Sequence, residues 1–337
     1  MKKISTGTYK IESPVKFLEY CAVVGQKEKE GPLGDYFTNY SADEYFGQET
    51  FEKAETQMQK EAMDHVIKKS GFTEKDIDFI FAGDLLNQCV SSNYCVRDRS
   101  MQFFGLYGAC STMVEAIILS SMVIDGGFAR RTIAITSSHF CSAERQFRFP
   151  LEYGSQRPPS SQWTVTGAGC VLLGDGIMRE EVPFVDKVCP GKVVDMGITD
   201  INNMGAAMAG AAVDTLKRYF EDTETTPGDY DLILSGDLGK IGHKIVIELM
   251  GKDGYDMTNN YDDCGKLIFD AEKQDTHSGG SGCGCAASVL TGYLLPEMQK
   301  KTFKNVLFMA TGALMSPILN QQKESIPGIA HLINIKI

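Results

Sequence analysis

Two eight-residue runs constrain the fold of this chain most: DFIFAGDL from Asp78 and DLILSGDL from Asp231. They share Asp, Ile, Gly, Asp and Leu in register, and both read as a buried strand running into a tight turn. Each follows a stretch with apolar residues at three-to-four spacing and charges between them, ETQMQKEAMDHVIKKSG in one case and MAGAAVDTLKRYFED in the other. That spacing is the pattern of a helix with one buried face. The agreement continues downstream, where GLYGACSTMVEA then RRTIAITSSHF is answered by GGSGCGCAASVL then KNVLFMATGAL. The separation between copies widens along the way, so the second copy carries a modest insertion. Helix, strand, glycine-rich turn, buried helix and strand, used twice in one order, predict a duplicated α/β architecture. The two halves are expected at 1–177 and 178–337, packed together.

Composition limits what such a chain does. With 337 residues, 43% of them hydrophobic, it can bury a large core. No apolar run reaches the roughly 18 residues of a membrane helix, because the longest are cut by Ser120, Ser121 and Asp125. Met1-Lys2-Lys3 is followed by Ser5, Thr6, Gly7 and Thr8 rather than an apolar segment, so no export signal is expected and the chain is placed inside a cell. A net charge of -11 argues against a nucleic-acid groove, which needs clustered Lys and Arg. The ten cysteines are expected as free thiols. Cys283 and Cys285 with Cys264 or His277 offer one C-x-C and no matching second pair, so no metal is expected. GGSGCGC and GAGC fail the dinucleotide fingerprint, with Cys285 and Leu172 at the third-glycine places, and no cofactor is expected.

Within the first copy, residues 110–124 are apolar on nearly every side, Glu115 being the only charge, and the run stops at Gly126-Gly127. This helix should be enclosed rather than amphipathic. Cys110 stands at its entry, where unpaired backbone N–H groups and the positive dipole end are expected to depress the thiol pKa. The same position serves a covalent nucleophile or the floor of a carboxylate pocket.

Residues 93–97, YGACSTMVEA around Cys110, the strand TIAITSSH and the later TVTGAGCVLLGDG together resemble the ordered motifs of the thiolase and ketoacyl-synthase superfamily. That resemblance implies a thiolase-like duplicated five-layer αβαβα fold, an acyl-accepting cysteine at Cys110, and a homodimer formed through the first-half sheet. The condensing enzymes also carry a His-x-x-Asn motif after the second-half strand. Here that histidine falls on Gly236 or Asp237, and a further Asn or His falls near Cys283. His243 and His277 are the only second-half histidines close enough in sequence to substitute. Condensation needs a base or donor beside the thiolate, which glycine does not supply.

A narrower match lies in TSSHFCSAERQFRFPLEYGSQRPPSSQWTVTGAG and GDLLNQ, which resemble the stage V sporulation protein AD group, thiolase-like proteins of spore formers associated with moving dipicolinate into the developing spore. That resemblance implies a non-catalytic dipicolinate-binding protein at the spore inner membrane, working with membrane-embedded proteins of the same transport assembly, with calcium entering only as part of the ligand chelate. The competing expectations are an acyltransferase using Cys110 and a structural adaptor of that assembly.

Dipicolinate is a flat pyridine with two carboxylates, so its pocket should combine positive donors with apolar faces. His139, Arg145, Arg148 and Arg157 interleave with Phe140, Phe147, Phe149 and Tyr153, and arginine's planar fork suits carboxylates. The expected ligand-binding set is Asp84, Asn87, Cys110, His139, Arg148 and Arg157, with Cys110 as the floor and Asp84, Asn87 and Gln88 reaching the same mouth. Each has a plainer reading: the arginines as surface charge beside Glu144 and Glu152, His139 as a satisfied core residue, and Asp84, like its twin Asp237, as a turn residue.

Overall fold

The structure is a computed structural model that describes residues 1–147, 156–175 and 181–337. Ten strands form one hydrogen-bonded path, five from each copy: β1 (Tyr9–Gly25), β2 (Phe79–Gly83), β3 (Gln102–Gly105), β4 (Arg131–Ser138) and β5 (Gly167–Gly174), then β6 (Phe184–Cys189), β7 (Leu232–Ser235), β8 (Tyr261–Asp263), β9 (Asn305–Ala313) and β10 (Gly328–Lys336). Their order is β3-β2-β4-β5-β1 followed by β6-β10-β9-β7-β8, so the second set repeats the first in reverse, with β1 answered by β6 at the centre and β3 by β8 at the far ends. The pairing types repeat as well. β2 is parallel to β3 and β4 as β7 is to β8 and β9, while β4, β5 and β1 run antiparallel as β9, β10 and β6 do. The two sets meet where β1 pairs antiparallel with β6, Lys10 opposite Lys187 and Val15 opposite Val185.

Strands buried on both faces read as continuous apolar runs, and their alternation decides which layer each side chain enters. In β4, Ile133 and Ile135 join the core under helix α1 (Phe51–Ser70), beside Met58, Met63 and Val66, while Ala134 faces inward. In β9, Leu307 and Met309 meet helix α2 (Met204–Thr223) through Met208, Leu216 and Phe220, while Val306 and Phe308 face inward. The inner layer holds α3 (Thr112–Asp125) and α4 (Cys283–Val289). Helix α3 packs against β1, β2 and β4 of the first copy and against β9 and β10 of the second, so it lies between the two sets of strands. This is the five-layer αβαβα arrangement, and the enclosed helix expected from 110–124 occupies its middle. Helix α3 ends at Gly126, and Gly127 takes the positive φ (75°) that lets the chain leave.

All ten cysteines are free. Among the described residues no helix is long and apolar enough to cross a membrane.

Candidate functional site

Cys110 sits in a single tight turn, 109–111, between β3 and α3. Ala109 adopts φ 50° there, a left-handed conformation uncommon for a residue with a Cβ. The turn is tied locally, Ser111 Oγ donating to the Gly108 carbonyl at 2.6 Å and Thr112 Oγ1 to the Ala109 carbonyl at 2.7 Å. From the second copy, β9 runs so close that a Cβ on Gly312 would lie 2.4 Å from the Gly108 oxygen. Glycine is what lets the two copies meet at the sulfur.

Facing Cys110 is Asp237, at the end of β7. Its Oδ1 accepts from Thr311 Oγ1 at 2.7 Å; its Oδ2 accepts from Ser281 Oγ and from the Gly282 N–H, each at 3.0 Å. The Cys110 thiol stands beside the same carboxylate and lies 4.0 Å from Ser281 Oγ. One buried acid therefore ties β7 to β9 and to the start of α4, next to the cysteine turn. Burial first, and the Asp237 charge second, push the Cys110 thiol well above its usual range. This corrects the expectation that the helix entry depresses it: the cost of a buried thiolate, with a carboxylate beside it, outweighs the dipole end. Burial also raises Asp237 itself, and behind it Asp263 reaches about 7. Among the described residues no histidine lines the cleft above the sulfur. His243 stacks on Tyr261 at 4.8 Å, and His277 stands beside Asp275.

The cleft spans about 590 Å³ of non-atom space, its open mouth included. Its walls are mainly apolar, from Leu85, Tyr107, Ala143, Phe147, Ile201, Met204 and Met315, with Glu144, Gln162, Thr164, Asn202 and Ser281 as polar members. Among the described residues no Lys or Arg lines it.

The expected ligand set is only partly gathered. Asp84 is fully buried and serves its own turn, Oδ1 accepting from the Leu86 N–H at 3.0 Å and Oδ2 from the Ser92 N–H and hydroxyl at 2.9 and 2.7 Å. Asn87 is exposed, its backbone N–H donating to Gln146 Oε1 at 2.9 Å. His139 is buried; its Nε2 pairs with the Glu44 carbonyl at 2.8 Å and its Nδ1 accepts from the Cys141 N–H at 3.2 Å, and burial lowers its pKa. The histidine lines a separate small cavity with Lys27, Glu28, Phe140 and Trp163. Arg157 lies over the Trp163 ring, 4.8 Å from its centroid, and donates to the Gln162 carbonyl. Arg148, with Phe149 and Tyr153, falls outside the described residues. A short ribbon divides the two cavities: Trp163–Thr164 pairs with Gly280–Ser281, placing Thr164 and Ser281 on the cleft and Trp163 on the other side. Gln162, Glu144 and Asp237 were not among the expected site residues; for Asp237 the signal was present, as the acid next to the position where the superfamily's histidine falls.

Comparison with known proteins agrees with this picture. A profile of the stage V sporulation protein AD (SpoVAD) family matches residues 5–336. The stage V sporulation protein AD of Bacillus subtilis (strain 168) is 43% identical over 333 residues, covering 98% of this chain and 97% of the relative. Among solved structures, 3-oxoacyl-[acyl-carrier-protein] synthase III from Aquifex aeolicus VF5 aligns with TM-score 0.57 at 12% identity, over 96% of this chain and 100% of that one. A Xanthomonas campestris OleA structure aligns with TM-score 0.64 at 8% identity, over 98% and 100%. At such low identity these two bear on the fold alone, which is the thiolase-like one.

Proposed function

The chain belongs to the stage V sporulation protein AD family, and on that footing we propose that it is a non-catalytic carrier, binding dipicolinate or its calcium chelate in the cleft over Cys110 for uptake into the developing spore. One observation carries the non-catalytic part: the group facing the sulfur is the Asp237 carboxylate. A thiolate nucleophile needs a neighbouring cation or base that lowers its pKa. An anion in that place holds the proton on sulfur. The cleft then lacks an activated nucleophile, and a flat aromatic ring suits its apolar walls. The carrier works at the spore inner membrane through membrane-embedded partners, as a homodimer whose contact runs along β3. That strand ends the sheet path and leaves Phe104 50% exposed.

Calorimetric titration of the purified protein with dipicolinate, with and without calcium, tests the binding. Heat of binding is expected; none at millimolar ligand would move the assignment to a structural adaptor. The acyltransferase reading is favoured by the left-handed Ala109 turn that presents Cys110. Mass spectrometry after incubation with acyl-CoA separates it, since a thioester on Cys110 would refute the carrier reading and an unmodified thiol is expected.

A further inference from the structure

One polar side-chain atom of the Cys110 cleft is left unanswered by the fold. Gln162 lines the cleft and is 5% exposed. Its Nε2 donates to the Asp237 carbonyl at 2.6 Å and to the Gly280 carbonyl at 2.9 Å, which uses both amide hydrogens. Turning the amide over would press its oxygen against those two carbonyl oxygens, so the orientation is fixed. Oε1 is therefore a buried acceptor, and among the described residues it has no partner. Nearby hydrogens are already committed: the Ser281 hydroxyl goes to Asp237, and Thr164 Oγ1 goes to Glu144 at 3.1 Å. These side chains supply no spare donor to Oε1, and a buried carboxylate lies beneath.

We propose that Gln162 determines which form of the ligand the cleft accepts, its Oε1 taking a hydrogen-bond donor or a cation on the ligand in preference to a bare carboxylate. The inference rests on the dipicolinate reading above and refines it. Fully ionised dipicolinate carries only acceptors, its carboxylate oxygens and ring nitrogen. Set against Oε1 over Asp237, it would leave acceptor facing acceptor in a site with little water, and both would lose hydration unrepaid. The calcium chelate offers a cation to Oε1. The diamide of the same ring, pyridine-2,6-dicarboxamide, offers N–H groups within a similar planar outline and no charge.

The test is a calorimetric titration of the full-length protein at neutral pH with three probes: dipicolinate in the presence of a metal chelator, calcium dipicolinate, and pyridine-2,6-dicarboxamide. At least one of the last two is expected to bind about tenfold or more tightly than the metal-free dianion. In Gln162→Met, which keeps side-chain length but lacks the acceptor, that ratio is expected to fall to within about twofold of unity. A dianion that binds as tightly as both other probes overturns this inference and leaves the carrier reading standing. Absence of binding by all three overturns the two together. A folded Met variant with an unchanged ratio overturns the role of Gln162. If the variant does not fold, the ratio in the unaltered protein decides.

Discussion

In the first copy, the strand-ending AGDLL turns its aspartate back on its own chain: Asp84 caps Leu86 and Ser92, two and eight residues on. In the second copy, SGDLG sends the equivalent Asp237 across the molecule to Thr311, Ser281 and Gly282, beside the Cys110 thiol. The local duty there passes to Asp263, from the neighbouring strand, which accepts from the Ser235 hydroxyl and from the Leu238 and Gly239 N–H groups. The backbone course of a duplicated turn is thus preserved while one side chain, relieved by a neighbour, is redeployed to hold the two copies together at the cleft.

Stability measurements put the strongest strain on that contrast. Asp237→Ala strands three donors in the buried centre and is expected to cost about 3–5 kcal/mol; Asp84→Ala, which strands a local set, about 2–3 kcal/mol. Urea unfolding of the two variants would reverse the argument if Asp84 proved the costlier. Next in size is the thiol. With the carboxylate gone but the shape kept, Asp237→Asn should raise the alkylation rate of Cys110 by about tenfold or more, followed site by site with mass spectrometry; an unchanged rate would mean that burial alone silences the sulfur.

The pH dependence probes both copies together. Burial raises Glu55, under the first sheet, from 4.5 to about 8, and Asp263 from 3.8 to about 7. The folded chain keeps these protons over a range in which the unfolded chain has released them. Their contribution is therefore fully present below about pH 4, declines as pH rises, and is lost above about 8. Unfolding midpoints that climb between about pH 5 and 8 would contradict the assignment. The smallest expected effect is that of His139→Asn on dipicolinate affinity, within about twofold, because the ring is spent on Glu44 and Cys141 and lines the other cavity; a larger loss in the same titration would bring His139 back to the ligand.

Much of the architecture was legible because it rests on local signals. β2, β4, β7 and β9 each hold an unbroken apolar run (79–82, 133–135, 232–234 and 306–310) since they are covered on both faces, and the α3 helix declares its enclosure by carrying one charge, Glu115, before its last residue. Cys110 was legible for the same reason, as a residue fixed by the turn it begins. What the sequence concealed is whatever depends on how the copies meet. His139 and Arg157 sit near the cleft along the chain, yet the ribbon's alternation sends Thr164 to one cavity and Trp163 to the other, and His139 follows Trp163. Asp237 could be read as a turn residue or as the successor of a histidine, and only the approach of β7 to the cysteine turn decides.

The longest strand has a consequence for biogenesis. β1 finds its main partners in β5 and β6, so most of its length cannot be zipped up until residues 167–189 have followed it. Throughout that interval it offers an unprotected edge of apolar residues, the kind that invites wrong neighbours. Production of this protein should accordingly respond to the supply of chaperones that shelter nascent chains.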